Sequence, residues 1–150
     1  IDNGGPINKT AYVFSIGMLI SYDYYPMAAV MAGGMIPPFV IALTATLFKD
    51  RFEVRKDALM NYINGISFIS EGAIPFIQKE SQIILPACCL SAGLAGALSM
   101  YFNCSIASPH GGLFLIWMVQ NPISYLSLIV CSTCVGTILL ILFTKLKKES

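Results

Sequence analysis

The chain has 150 residues, 56% hydrophobic and 11% charged, with a mean hydropathy of +0.73. A soluble domain carries about 25% charged residues, so this chain has too little charge to solvate a globular surface. Its formal net charge of +1 excludes electrostatic capture of nucleic acid.

The predicted elements follow in chain order. The sequence opens on Ile1, without an initiator Met or a basic n-region, and so reads as a piece of something longer with no signal peptide. Residues Ile1 to Lys9 contain Gly4-Gly5-Pro6, which predicts a loop or re-entrant turn. A short apolar span is expected at about 10–21, closed by an aromatic belt of Tyr22, Tyr24 and Tyr25. The stretch 27–48 has 22 uncharged residues, enough to cross a bilayer, which takes about 20. Gly33-Gly34 and Pro37-Pro38 are expected to interrupt it. The carbonyls that such a break frees need partners, so this span faces protein.

Residues 49–57 hold four basic and three acidic side chains and read as a loop outside the hydrocarbon. That loop and the basic tail Lys145, Lys147 and Lys148 are cytoplasmic by the positive-inside rule. Between them, 58–78 is apolar except for Glu71, with Gly72 and Pro75 weakening any helix, and reads as a re-entrant segment. A span follows at 82–102, rich in small residues that allow close helix approach, such as Gly93 with Ala97. The segment 103–119 breaks the pattern at Pro109 and two glycines and is a second re-entrant segment. The last span is 123–143. These readings give an all-α, multi-pass membrane protein over residues 1–150.

There are five cysteines. Cys131 and Cys134 form a C-x-x-C pair, but one pair without a second is a weak metal signal. Small, polarizable packing residues are the better reading, and no metal or other cofactor is expected.

Chemistry concentrates in the two turns. Glu71 is a lone carboxylate in an apolar stretch. It either caps backbone N–H groups or pairs with a lysine, or it accepts hydrogen bonds from a polar substrate. His110, the sole histidine, lies between Pro109 and Gly111-Gly112. It is either a satisfied core histidine or an imidazole that gives and takes hydrogen bonds near neutral pH. Asn8 and Lys9 are an anchored interfacial loop or a third wall of the same cavity. A carboxylate, an imidazole and amides are the inventory of a sugar site. No motif for a nucleotide site is present.

Five ordered blocks carry a resemblance. They are Gly4-Gly5-Pro6-Ile7-Asn8-Lys9, Pro26 to Ala32, Ser67 to Phe76, Gly96 to Met100 and Pro109-His110-Gly111-Gly112. In these the chain resembles the C-terminal part of the membrane-embedded enzyme IIC (EIIC) of the bacterial phosphotransferase system, fructose family. The resemblance implies a permease that imports fructose while a phosphocysteine on EIIB converts it to fructose 1-phosphate. It implies Glu71 and His110 as the catalytic pair, with Asn8, Gly72, Pro109 and Gly111 around the sugar. The implied partners are EIIB, EIIA, the lipid of a bacterial inner membrane and a second copy of the chain. The Cys-Pro-Thr-Gly type loop of EIIB is absent, so the phosphoryl donor belongs to another domain. A non-phosphorylating sugar carrier and a non-catalytic assembly module remain as alternatives.

Overall fold

The computed structural model describes residues 5–48, 55–110 and 112–149. Among these it is all α, with no strand. The helices are α1 (Pro6–Ile20), α2 (Tyr25–Leu47), α3 (Arg55–Ile66), α4 (Ile74–Lys79), α5 (Ser81–Tyr101) and α6 (Pro122–Glu149). Two 3-10 stretches, Ser70–Ala73 and Gly112–Met118, precede α4 and α6. Residues 49–54 of the expected charged loop, and Gly111, lie outside the described residues.

Three described helices are long and apolar enough to cross a membrane: Tyr25–Leu47, Ser81–Tyr101 and Pro122–Lys147. They fall on the expected spans 27–48, 82–102 and 123–143. α1 has 15 residues and rises only about 22 Å, less than a hydrocarbon core of about 30 Å. α3, with 12 residues, rises only about 18 Å. It fills the first part of the segment 58–78, which then turns through Ser70–Ala73 into the short α4.

Three local readings need correction. The loop predicted over Ile1–Lys9 is helical from Pro6 onward. Proline suits the first helical position, where its missing N–H is not needed and its fixed φ is already helical. The Lys9 N–H donates to the Gly5 carbonyl at 3.0 Å and closes the first turn. The charged stretch 49–57 also gives up its end to a helix, since Arg55, Lys56 and Asp57 open α3. The predicted interruption at Gly33-Gly34 and Pro37-Pro38 does not occur, and α2 is helical throughout.

Packing explains that continuity. Met27, Met31, Met35, Ile36, Val40 and Ile41 are fully buried. The apolar window of α2 is 72% buried, against 39% for α5 and for α6. α2 is therefore the central helix, apolar all round and wrapped by the others, while α5 and α6 each turn a face outward. Partners on every side hold the two prolines in a helix that local propensity alone would break.

Several helices end alike. Tyr22, Phe68 and Asn103 have φ of 62°, 61° and 50°, in the left-handed region. After α3, the Ile69 N–H donates to the Asn64 carbonyl at 2.7 Å and the Phe68 N–H to the Gly65 carbonyl at 3.3 Å. α1 and α5 close with the same pair of bonds. This is the Schellman arrangement, in which glycine is the usual left-handed residue. Phenylalanine in that conformation costs roughly 1–2 kcal/mol, which fold contacts must offset.

A close helix contact joins α2, α5 and α6. A Cβ added at Gly136 would lie 2.5 Å from Val40 Cγ2 and 2.7 Å from Ser91 Oγ. We expect Gly136→Val to force α6 outward and destabilise the protein by about 1–3 kcal/mol. A lowered melting temperature in detergent would register this, and an unchanged one would contradict the packing.

Candidate functional site

α1 brings a polar stripe to the centre. Asn8, Tyr12 and Ser15 are spaced four and three apart and so share one face. Ser15 is fully buried, and Asn8 and Tyr12 are half-buried. The Ser15 hydroxyl donates to the Ala11 carbonyl at 2.9 Å. Tyr12 reaches further. Its hydroxyl lies 2.9 Å from the Pro109 carbonyl oxygen and 2.8 Å from Nδ1 of His110. Nε2 of the same ring is 3.1 Å away, but the in-plane directions of the two nitrogens diverge, so the hydroxyl serves one at a time. A phenol has one proton to give. When that proton goes to the Pro109 carbonyl, the phenol oxygen accepts from an N–H of His110, and the other ring nitrogen is left as a base.

The Tyr12 ring also ties the two turns together. Its centroid is 5.6 Å from that of His110 and 6.4 Å from that of Phe68. Phe68 uses its left-handed backbone to lay its ring on Gly34 of α2, where an added Cβ would lie 2.5 Å from Phe68 Cε2. Gly112, with φ +54°, packs its Cα against the Ile66 carbonyl and the Phe68 N–H. No larger residue fits there. The turn carrying His110 is thus seated on the turn that leads to Glu71.

Glu71 opens the 3-10 stretch Ser70–Ala73 and is exposed. Among the described residues its carboxylate has no hydrogen-bond or ion-pair partner. Gly72 sits on two amides of α3, with a Cβ added there running into Asn64 Nδ2 and Asn61 Oδ1. Asn64 Nδ2 donates to Asn61 Oδ1 at 3.2 Å. Asn61 is fully buried, and its own Nδ2 has no partner. Exchanging O and N in both amides would still leave one buried amide atom open.

A cavity of about 170 Å³ lies beside these turns, lined by residues of α1, α2, α5 and the Ser70 turn. Its polar walls are Asn8, Ser70, Cys89 and the backbone of Gly33 and Gly34, and Val30, Ala11 and Ala92 supply apolar ones. An engineered cavity of about 150 Å³ takes a benzene molecule, so a small ligand fits. Glu71, Gly72, Pro109 and His110 do not line this cavity. His110 is exposed and Pro109 half-buried. Asn8 and Ser70 therefore meet in the cavity, Pro109 and His110 meet on Tyr12, and Gly72 meets Asn61 and Asn64.

Tyr12, Asn61, Asn64 and Phe68 are absent from the sequence reading of the site. The spacing of Asn8, Tyr12 and Ser15 is a signal that could have revealed the first. Cys131 and Cys134 lie on the outward face of α6, and no described group of His, Cys, Asp or Glu is arranged to hold a metal.

Three long apolar helices with polar turns packed against them define an all-α membrane protein. No family model matches the chain, and no solved structure matches it. Curated relatives do. It is 44% identical to a phosphotransferase-system fructose-specific EIIB'BC component of Vibrio cholerae, over 91% of this chain and 24% of that protein. It is 41% identical to the fructose-specific EIIABC component of Bacillus subtilis, over 93% of this chain and 22% of that one. It is 39% identical to a fructose permease IIC component of Bacillus amyloliquefaciens, over 99% and 49%. The chain thus spans between about a quarter and a half of the length of these relatives. It belongs to the fructose family of phosphotransferase-system EIIC components.

Tyr12→Phe keeps the ring against Phe68 but releases both the Pro109 carbonyl and His110. We expect a loss of about 1 kcal/mol for the missing hydrogen bond, with a larger loss for Tyr12→Ala. Equal melting temperatures for all three proteins would remove Tyr12 as the tie between the turns.

Proposed function

We propose that this chain forms the sugar-holding part of a permease that imports fructose and releases it as fructose 1-phosphate. The observation that carries the reading is the seating of the His110 turn on the Glu71 turn, beside a cavity walled by Asn8 and Ser70. The relatives, named as fructose-specific components with fused EIIB and EIIA domains, supply the substrate class and the partner domains.

In this reading the Glu71 carboxylate accepts hydrogen bonds from sugar hydroxyls, and the free ring nitrogen of His110 takes the proton of the attacking hydroxyl. The 1-hydroxyl oxygen forms a bond to the phosphorus of a phosphocysteine on EIIB. The S–P bond breaks, and the thiolate leaves. EIIA restores the phosphoryl group. Gly72 allows close approach at Glu71, and Pro109 and Gly111 are sugar contacts beside His110 in this reading. The exposure of both side chains suits this chemistry, since a phosphoryl donor on a separate domain must reach the sugar from outside the helices.

The same reading gives the topology. The charged residues 49–57 and the basic tail lie in the cytoplasm by the positive-inside rule. α3 with the Ser70 turn, and 103–119, then enter the membrane without crossing it. Non-helical backbone at that depth is tolerated where protein or a water-filled cavity surrounds it.

Uptake of labelled fructose by membranes carrying the full-length permease tests this. Wild-type uptake should require phosphoenolpyruvate. His110→Ala should lower it by roughly a hundredfold or more, the scale of lost acid–base assistance, and Glu71→Gln by about tenfold or more, the scale of lost hydrogen bonds to a charged group. Undiminished uptake in both variants would remove the site, and uptake independent of phosphoenolpyruvate would remove the phosphoryl transfer.

A further inference from the structure

A helical N–H donates to the carbonyl four residues earlier, and proline has no N–H to give. Pro37 and Pro38 both lie inside α2, so the carbonyls of Gly33 and Gly34 lack their helical donors. Both prolines are buried. Among the described residues, no side chain and no loop N–H donates to either carbonyl in their place. Gly33, Gly34 and Pro37 line the same cavity as Asn8 and Ser70. Two backbone acceptors thus lack their regular helical donors in the most buried of the candidate spans, beside a space that can hold a ligand.

What fills that space follows from the walls. The acceptors are neutral, and among the described residues no acidic side chain lines the cavity, which disfavours a bare cation. Acceptors call for donors, and the apolar walls Val30, Ala11 and Ala92 suit C–H faces. A polyhydroxyl compound meets both demands. The glycines also keep the wall thin. A Cβ at Gly33 would lie 3.3 Å from the Ala92 carbonyl oxygen, so α5 closes on α2 at this level.

We propose that the carbonyl oxygens of Gly33 and Gly34, opened by Pro37 and Pro38, accept hydroxyl hydrogen bonds from the sugar in this cavity. This rests on the reading of the site as a fructose site and adds a backbone half to it. The tandem proline serves binding in this account, and the helix is less stable for it.

The test uses the full-length permease in detergent, with fructose binding measured by titration calorimetry and folding by thermal melting. Pro37→Ala and Pro38→Ala each restore an N–H that reclaims one carbonyl. Each should raise the melting temperature and weaken fructose binding by about tenfold or more, the scale of one or two lost hydrogen bonds. A proline with a purely structural role would not couple the two changes in this direction. Affinity within about twofold of wild type in both variants would overturn the proposal and leave the acceptors to water. Glu71→Gln, measured alongside, separates the failures. If it loses binding while the proline variants keep it, the carbonyl assignment alone falls. If it and wild type bind alike, the assignment of Glu71 falls. Should either proline variant fail to fold, infrared spectra of wild-type protein with isotope-labelled glycine carbonyls decide. Fructose should move a labelled band to lower frequency, and an unmoved band would overturn the proposal.

Discussion

Backbone polar groups at membrane depth need partners, because no water is there to take them. α2 strains this rule more than any other part of the chain. It is the most buried of the candidate spans, yet it carries Pro37 and Pro38 in its interior. Its neighbours are arranged around that defect. α5 approaches closely at Gly33, the Phe68 ring covers Gly34, and the Ser70 turn and α1 complete the walls of a cavity at the same level. Without the surrounding helices the break would be a liability. With them it borders a small cavity that carries a few polar groups inside an apolar bundle.

The second organising feature is the way the chain reverses. Tyr22, Phe68 and Asn103 all adopt left-handed backbone at helix ends where glycine is usual. At Phe68 the cost places an aromatic ring between Gly34 and Tyr12. Tyr12 in turn holds the Pro109 carbonyl and the His110 ring. A strained residue far from α1 in sequence thereby sets the position of the turn that carries the histidine. Beneath the Glu71 turn, Asn61 and Asn64 form a buried amide pair on which Gly72 rests. Apolar contacts bring the elements together, and this small set of polar contacts fixes their register.

Much of the architecture was legible in the sequence. Runs of about 20 uncharged residues located α2, α5 and α6, because hydrocarbon thickness sets their length. Glycine and proline marked both polar turns. What local rules missed was decided elsewhere. Pro6 follows two glycines and so suggests a loop, but at a first helical position it favours the helix. Pro37-Pro38 predicts an interruption, but burial on all sides keeps α2 intact. Tyr12 was hidden within an apolar run, since its partners lie 97 and 98 residues away. Asn61 and Asn64 drew no notice because their value depends on Gly72 meeting them in space.

The central claim is that fructose occupies the cavity between α1, α2, α5 and the Ser70 turn. Cys89 lines that cavity and is half-buried, so it reports occupancy without any change to the site. The rate of Cys89 alkylation by a small maleimide, followed by mass spectrometry of the full-length permease, is the direct measurement. The account predicts that saturating fructose slows the reaction several-fold while a sugar that does not bind leaves it unchanged. An alkylation rate indifferent to fructose, in protein shown to be saturated with it, would contradict the account.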